Sequence, residues 1–299
     1  MSDERLSSIR EKGVLTFWGV RGSIPTPGKN TVVHGGNTSC VSVEYGDHII
    51  ILDAGTGIRK LGSEILSRSK DLTPKKGHIF ITHYHWDHIQ GLPFFSPAFD
   101  PGKRFRICGE PRESMSLQRI LEGQMHVPFF PVEMDSVFAA DIDFTPLACD
   151  ETFFIDPDIP IHLTPFRAFH PNLALGFRLN VNGCRICYLP DNELDKSIDQ
   201  SRIFDAIYEA DILIHDAQFT RETVANCKRG WGHSAFEDVA ELAREAKCKK
   251  LFLFHHDPDA KDSILEERQL IAQEIFPNTT TAHEGLFVRL FEGNGSPST

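Results

Sequence analysis

The segment Ile81-Thr82-His83-Tyr84-His85-Trp86-Asp87-His88 places four potential metal ligands within six residues. In an extended chain, side chains two apart point the same way. His83 and His85 can therefore grip one ion, while a turn after them swings Asp87 and His88 towards another. Apolar Ile79, Phe80 and Ile81 bury the strand that leads in, and buried imidazoles and a carboxylate need partners, which argues against a solvated histidine patch. Five further candidates stand where other apolar runs end, the place where an α/β sheet presents its functional loops. They are His170 after Phe169, Asp191 after Pro190, Asp216 after His215, His233 in Gly232-His233-Ser234, and His255 after Phe254. One such residue is weak evidence, but five beside the first cluster form a constellation.

Short apolar runs predict the strands that position these groups: Leu15 to Val20, Cys40 to Tyr45, His48 to Leu52, His78 to Thr82, Phe105 to Cys108, Leu175 to Val181, Ile186 to Leu189, Ile212 to Ile214, Leu251 to Phe254 and Leu286 to Phe291. Helical spacing relates Ile58, Leu61, Ile65 and Leu66, and again Val239, Leu242, Ala243 and Ala246. Ser234 with Glu237 reads as a capping box opening the second of these helices. Ser263 with Glu266 reads as another, opening a last helix that Pro277 ends. Strands come first, then a mixed middle, then strands alternating with helices, without repeat or low-complexity linker, so a single domain over 1–299 is expected. Its least regular part, residues 91–160, carries Phe94, Phe95, Phe99, Phe129, Phe130, Phe138 and Phe144, read as core packing with a lid or dimer surface as the alternative.

The composition of the 299 residues, 40% hydrophobic and 24% charged, excludes global disorder and fibrous repeats. A formal net charge of −11 argues against a surface built to clasp long nucleic acid. No apolar run approaches the ~18 to 20 residues that span a bilayer, and Met1 to Arg5 lead into no signal-peptide core, so a cytoplasmic protein is expected. Seven scattered cysteines make a poor disulfide framework and are expected to be reduced, and the Cys184/Cys187 pair reads as buried strand residues.

The sequence resembles the metallo-β-lactamase superfamily, in particular its ribonuclease Z-like phosphodiesterase branch. The resemblance runs from Gly19-Val20-Arg21-Gly22-Ser23-Ile24-Pro25 and the 35–40 segment Gly-Gly-Asn-Thr-Ser-Cys, through Asp53-Ala54-Gly55-Thr56-Gly57 and the histidine cluster, to Gly232-His233-Ser234 and His255. The cluster is specific for the superfamily, and the Gly-His-Ser element points to the branch. It implies an α/β fold, the αββα sandwich of two mixed sheets flanked by helices. It also implies His83, His85 and His170 on one metal, Asp87, His88 and His255 on a second, and Asp191 bridging. His256 also follows the last strand, but His255 directly continues Leu251 to Phe254 and is preferred. Donors of this kind suit two divalent ions, Zn²⁺ first, with Mn²⁺ or Fe as alternatives.

Two such ions lower the pKa of a shared water from 15.7 towards about 7 and polarise a substrate oxygen. The departing alkoxide needs a proton, for which His233 is the candidate donor. Asp216 resembles the carboxylate that supports such a donor in the branch. Asp87 is counted with them among the catalytic residues, and backbone N–H groups of the helix expected at Ser234 are candidates to face a phosphate. Asp53 lacks a P-loop context and reads as support for the metal loop. His34, Asn37, Arg21, Arg178 and Trp231 are candidate pocket residues, but the structural reading of each comes first.

Ribonuclease Z grips transfer RNA with a long arm inserted between the positions matched by His170 and Asp191, whereas here Asp191 follows His170 by only 21 positions. A small phosphodiester such as a cyclic nucleotide is therefore the expected substrate, with no long nucleic acid and no membrane as partner. A homodimer is expected from the resemblance alone. A thioester or lactam hydrolase, an RNA 3′-processing nuclease and a non-catalytic metal-bound sensor are the competing classes.

Overall fold

A computed structural model describes residues 13–68, 74, 76–195, 197 and 199–291; the segment Met1 to Arg5 lies outside them. These residues gather into two compact units. The first comprises the chain up to Gly19, Cys40–Pro146 and the chain from Gly285; the second comprises Val20–Ser39 and Leu147–Glu284.

The first unit carries β1 (Val14–Gly19), β2 (Cys40–Tyr45), β3 (His48–Leu52), β4 (Lys76–Ile81), β5 (Arg104–Gly109) and β6 (Asp141–Pro146). The second carries β7 (Phe153–Phe154), β8 (Ile161–Ala168), β9 (Ala174–Val181), β10 (Cys184–Leu189), β11 (Ile212–Asp216), β12 (Leu251–Phe254) and β13 (Thr279–Thr281). A last strand, β14 (Phe287–Arg289), returns to the first sheet. Each sheet has seven strands, ordered β14-β1-β2-β3-β4-β5-β6 and β13-β12-β11-β10-β9-β8-β7. In the first, β3 to β6 run parallel; in the second, β10 to β13 do. Both sheets are mixed, and each has its own helices.

All five residues of β3 are buried, as a parallel strand covered on both faces requires. On the edge strand β6, Asp141 and Asp143 sit opposite Arg104 and Arg106 and bind them at 2.7 and 2.9 Å. These ion pairs charge the open edge and discourage pairing with another chain.

The helix Gly57–Ser67 buries Ile58, Leu61 and Ile65 but leaves Leu66 exposed, so Leu66 does not share the predicted face. Neither expected capping box forms. The helix Phe236–Glu245 begins after Ala235, and the Ser234 hydroxyl is engaged elsewhere, donating to the Asn192 carbonyl and accepting from the Leu194 N–H. The Phe236 N–H at that helix start donates to the Phe219 carbonyl, which removes a donor assigned to a phosphate. Ser263 lies inside the helix Asp262–Ile275, whose cap position is Lys261. Of the seven phenylalanines read as core, Phe95 is buried, and Phe130, Phe138 and Phe144 pack against the first unit's core. Phe94, Phe99 and Phe129 are exposed. All seven cysteines are thiols, outside any disulfide, and no helix among the described residues is long and apolar enough to cross a membrane.

Candidate metal centre

In the first unit the chemistry gathers where β3 and β4, parallel neighbours, end. Asp53 follows β3 with a φ of +61°, a conformation rare outside glycine and costly for most side chains, though Asn and Asp tolerate it. It turns the carboxylate onto the adjacent strand end. Asp53 accepts from the Thr82 N–H at 2.8 Å, from the Thr82 hydroxyl, and from His88 Nδ1 at 2.8 Å. The short turn Trp86–Ile89 presents Asp87 and His88, and the Ala54 N–H fixes the His88 carbonyl at 2.8 Å. The His83 ring centre lies 4.5 Å from that of His85 and 4.3 Å from that of His88. Asp87 Oδ2 stands 3.3 Å from His88 Nε2.

In the second unit the parallel strands β10, β11 and β12 end side by side, Leu189 opposite His215 and Asp216 opposite Phe254. Their ends deliver Asp191, Asp216 and His255, and His170 follows β8. His255 has a φ of +55°, a second strained residue at a strand end. Asp191 Oδ1 lies 3.4 Å from His255 Nε2, 3.6 Å from His233 Nδ1 and 4.0 Å from His170 Nε2. Asp191, Asp216, His233 and His255 each offer a donor atom within 4.8 Å of the others. His233 Nδ1 is 2.8 Å from Asp216 Oδ2, and the other Asp216 oxygen accepts from the Gln218 N–H.

One arrangement recurs in both units. His88 Nδ1 meets the carboxylate of Asp53 and His170 Nδ1 meets the carbonyl of Gly232 at 2.9 Å. Both partners accept only, so in each ring, when neutral, the hydrogen sits on Nδ1 and Nε2 carries the lone pair. Those Nε2 atoms face Asp87 at 3.3 Å and Asp191 at 4.0 Å. A neutral Nε2 lone pair facing a carboxylate oxygen is an arrangement that a shared cation would satisfy. Burial pushes the His170 imidazole below its usual range, which disfavours an extra proton there. Imidazole nitrogens oriented by an acceptor on the far ring nitrogen, with carboxylates beside them, are the donor set of a divalent metal.

Glycines make room for these rings. A Cβ at Gly22 would fall 2.3 Å from His255 Nδ1, and one at Gly232 would fall 2.1 Å from His170 Nδ1. Reading the sequence alone gave neither glycine this task, although both lie in the motifs it singled out. It also missed Glu193, whose carboxylate accepts from the Gly230 and Gly232 N–H groups.

Other candidates lie in structural contacts. His256 Nε2 donates to the Ala282 carbonyl at 2.8 Å and its ring meets His34 edge-on, away from Asp191's three imidazole neighbours. Arg21 is fully buried and donates to the carbonyls of Gly35, Asp257 and Ala260. His34 is bound to Asp262 and Asn37 to Glu284. Trp231 is half exposed, with the Lys228 ammonium 3.4 Å above its ring. Arg178 lines a shallow cavity with Arg167, Arg202, Asp150 and Asp205.

Comparison with known proteins adds to this geometry. The family model described as a beta-lactamase superfamily domain matches residues 48–256. Ribonuclease Z of Archaeoglobus fulgidus is 26% identical over 320 positions, covering 90% of this chain and 95% of that protein. Among solved structures, a diphosphatase of the PhnP family superposes with a TM-score of 0.68 at 20% identity, over 94% of this chain and 98% of that one. The short form of human tRNase Z does so with a TM-score of 0.64 at 21% identity, over 93% and 100%. At those identities the structural likenesses establish a common fold.

Proposed function

Since this chain belongs to the β-lactamase superfamily, has its fold of two mixed sheets flanked by helices, and is a metal-dependent hydrolase, we propose that it hydrolyses a small phosphodiester such as a cyclic nucleotide. The observation that carries the phosphodiester reading is the 2.8 Å contact between His233 Nδ1 and Asp216 Oδ2. A hydrolase of thioesters or lactams shares the metals but has no need of this pair.

The ligand assignment follows the family motif: His83, His85 and His170 for one ion, Asp87, His88 and His255 for the other, Asp191 for both. Zn²⁺ is the first choice for these nitrogen and oxygen donors, and Mn²⁺ or Fe are compatible with them. Two bound divalent ions would supply a nucleophilic water at neutral pH and offset charge growing on the phosphate. His233 supplies the proton. Asp216 accepts its Nδ1 hydrogen, fixes the ring and stabilises the imidazolium, so that Nε2–H can pass to the departing oxygen. Asp53 and the Gly232 carbonyl hold His88 and His170 in the ligating tautomer.

Substrate size rests on the chain between His170 and Asp191. The strands β9 and β10 occupy Ala174–Val181 and Cys184–Leu189, which supports the absence of a long arm for transfer RNA. A second reading, RNA 3′ processing, is favoured by relatives named Ribonuclease Z that align over most of this chain. Seven cysteine thiols without a disulfide fit a reducing compartment, and the cytoplasm is the proposed location.

Metal analysis coupled to a substrate panel tests this reading. The panel holds 2′,3′- and 3′,5′-cyclic nucleotides, a bis-aryl phosphate ester, a transfer-RNA precursor, a thioester and a lactam, each with Zn²⁺ or Mn²⁺ added. Turnover of a cyclic nucleotide is the expected result. Cleavage of the RNA precursor without it transfers the assignment to RNA processing, and inertness towards the whole panel favours the non-catalytic sensor over the phosphodiesterase.

A further inference from the structure

We infer that Glu193 is a positioning residue whose carboxylate sets both the orientation of His170 and the place of His233. The inference rests on the reading of His170 as a ligand and His233 as the proton donor. Glu193 is buried, two residues past Asp191, and its two carboxylate oxygens go to one loop: Oε1 accepts from the Gly230 N–H at 2.7 Å and Oε2 from the Gly232 N–H at 2.8 Å. Both glycines have positive φ, +81° and +86°, a backbone that L side chains rarely adopt. Their N–H groups converge on a single anion, much as backbone nests do on phosphate. Here the anion is the protein's own side chain.

The clamp fixes two things, and the backbone beside it a third. The Gly232 carbonyl is brought to His170 Nδ1, which selects the tautomer whose Nε2 lone pair faces Asp191. The next residue, His233, is delivered to Asp216. The Glu193 N–H donates to the Phe169 carbonyl at 2.8 Å, and the Asn192 side-chain oxygen accepts from the Phe169 N–H, so the residue before His170 is tied to the same segment. Glutamine has the right shape but the wrong pattern. It offers one acceptor oxygen, and its amide NH₂ must face a glycine N–H, donor against donor.

The test is Glu193→Gln in the full chain, read three ways. Turnover of the substrate found in the panel is expected to fall about 10- to 100-fold in kcat, the usual cost of removing support from a ligating histidine, with KM changed little. Zn²⁺ affinity by competition calorimetry is expected to weaken by a similar factor. Imidazole ¹⁵N spectra of the metal-free protein should show His170 as the Nδ1–H tautomer in the wild type and as a mixture in the variant. Should the Gln variant fail to fold by far-UV circular dichroism, Glu193→Asp replaces it under the same readouts, since it keeps the charge but stops one methylene short. Unchanged kcat, Zn²⁺ affinity and tautomer overturn the inference, as does an Nε2–H wild-type His170. A wild type inert towards phosphodiesters, whose variant still loses Zn²⁺ affinity and the tautomer, refutes the proposed activity and leaves the role of Glu193 standing.

Discussion

His233 Nδ1 lies 2.8 Å from Asp216 Oδ2, joining the loop before the helix Phe236–Glu245 to the end of β11. The bond matters most when the leaving group is a poor one. Removing a general acid costs ~10²- to 10⁴-fold where an alkoxide must be protonated, and far less where the leaving group is already a stable anion. His233→Ala is therefore expected to lower kcat at least about 100-fold on a cyclic nucleotide and only modestly on a bis-nitrophenyl phosphate. Asp216→Asn should follow the same pattern more mildly. Equal losses on both substrates, measured by steady-state kinetics, would remove His233 from the proton-transfer step.

Asp53 and His88 make the corresponding contact in the first unit, also at 2.8 Å. Because Asp53 sits at φ +61°, Asn is the informative replacement: it tolerates that backbone, keeps the shape and removes the charge. Asp53→Asn should preserve the circular dichroism spectrum while weakening metal binding about 10- to 100-fold. Calorimetry with Zn²⁺ on chelator-stripped protein checks this, and an unchanged affinity would mean that His88 needs no support.

The strands buried along their length were legible because they read as unbroken apolar runs: Cys40 to Tyr45, His48 to Leu52 and Leu251 to Phe254 coincide with the observed strands, and the last two lead directly into Asp53 and His255. Strands with polar residues on one side were not. Ile161–Ala168 interleaves His162, Thr164 and Arg167 and contains Pro165, while Asp141–Pro146 alternates acid with apolar at a sheet edge. Both lack the signal of a continuous run. Local chemistry misled at Ser234, whose hydroxyl serves Asn192 and Leu194 in place of the helix start. The candidate residues were legible because a histidine or aspartate closing a buried apolar run must find a polar partner, and a shared cation would partner several of them at once. Glu193 was not, since a carboxylate that binds only backbone N–H groups of a distant loop leaves no pattern in the chain.

Close packing around His255 gives a test by addition. A methyl group at Gly22 would meet the imidazole at 2.3 Å from Nδ1, while one at Gly28 meets nothing within 4 Å. Gly22→Ala should displace the ring, reduce bound metal on elemental analysis and lower kcat by at least about 10-fold, since small misplacements of reacting groups are costly. Gly28→Ala should match the wild type in both. Full metal content and activity in Gly22→Ala would mean that His255 tolerates the shift and is no ligand.

Acid should destabilise the metal-free protein through histidines held neutral by burial. The His256 imidazole, fully buried with its Nε2–H on the Ala282 carbonyl, is pushed well below its ordinary value of 6.5, and the buried His215 is lowered as well. Below pH 6.5 the unfolded chain takes up protons that the folded chain refuses. Folding stability therefore falls as the pH drops from there towards the depressed folded values, by about 1.4 kcal/mol per pH unit for each such proton. Replacing His256 with Gln keeps a donor for Ala282 and deletes one titration. Urea unfolding of the chelator-stripped proteins between pH 7 and 5 should give a shallower loss of stability for His256→Gln than for the wild type. Parallel slopes would show that His256 takes up its proton equally in both states.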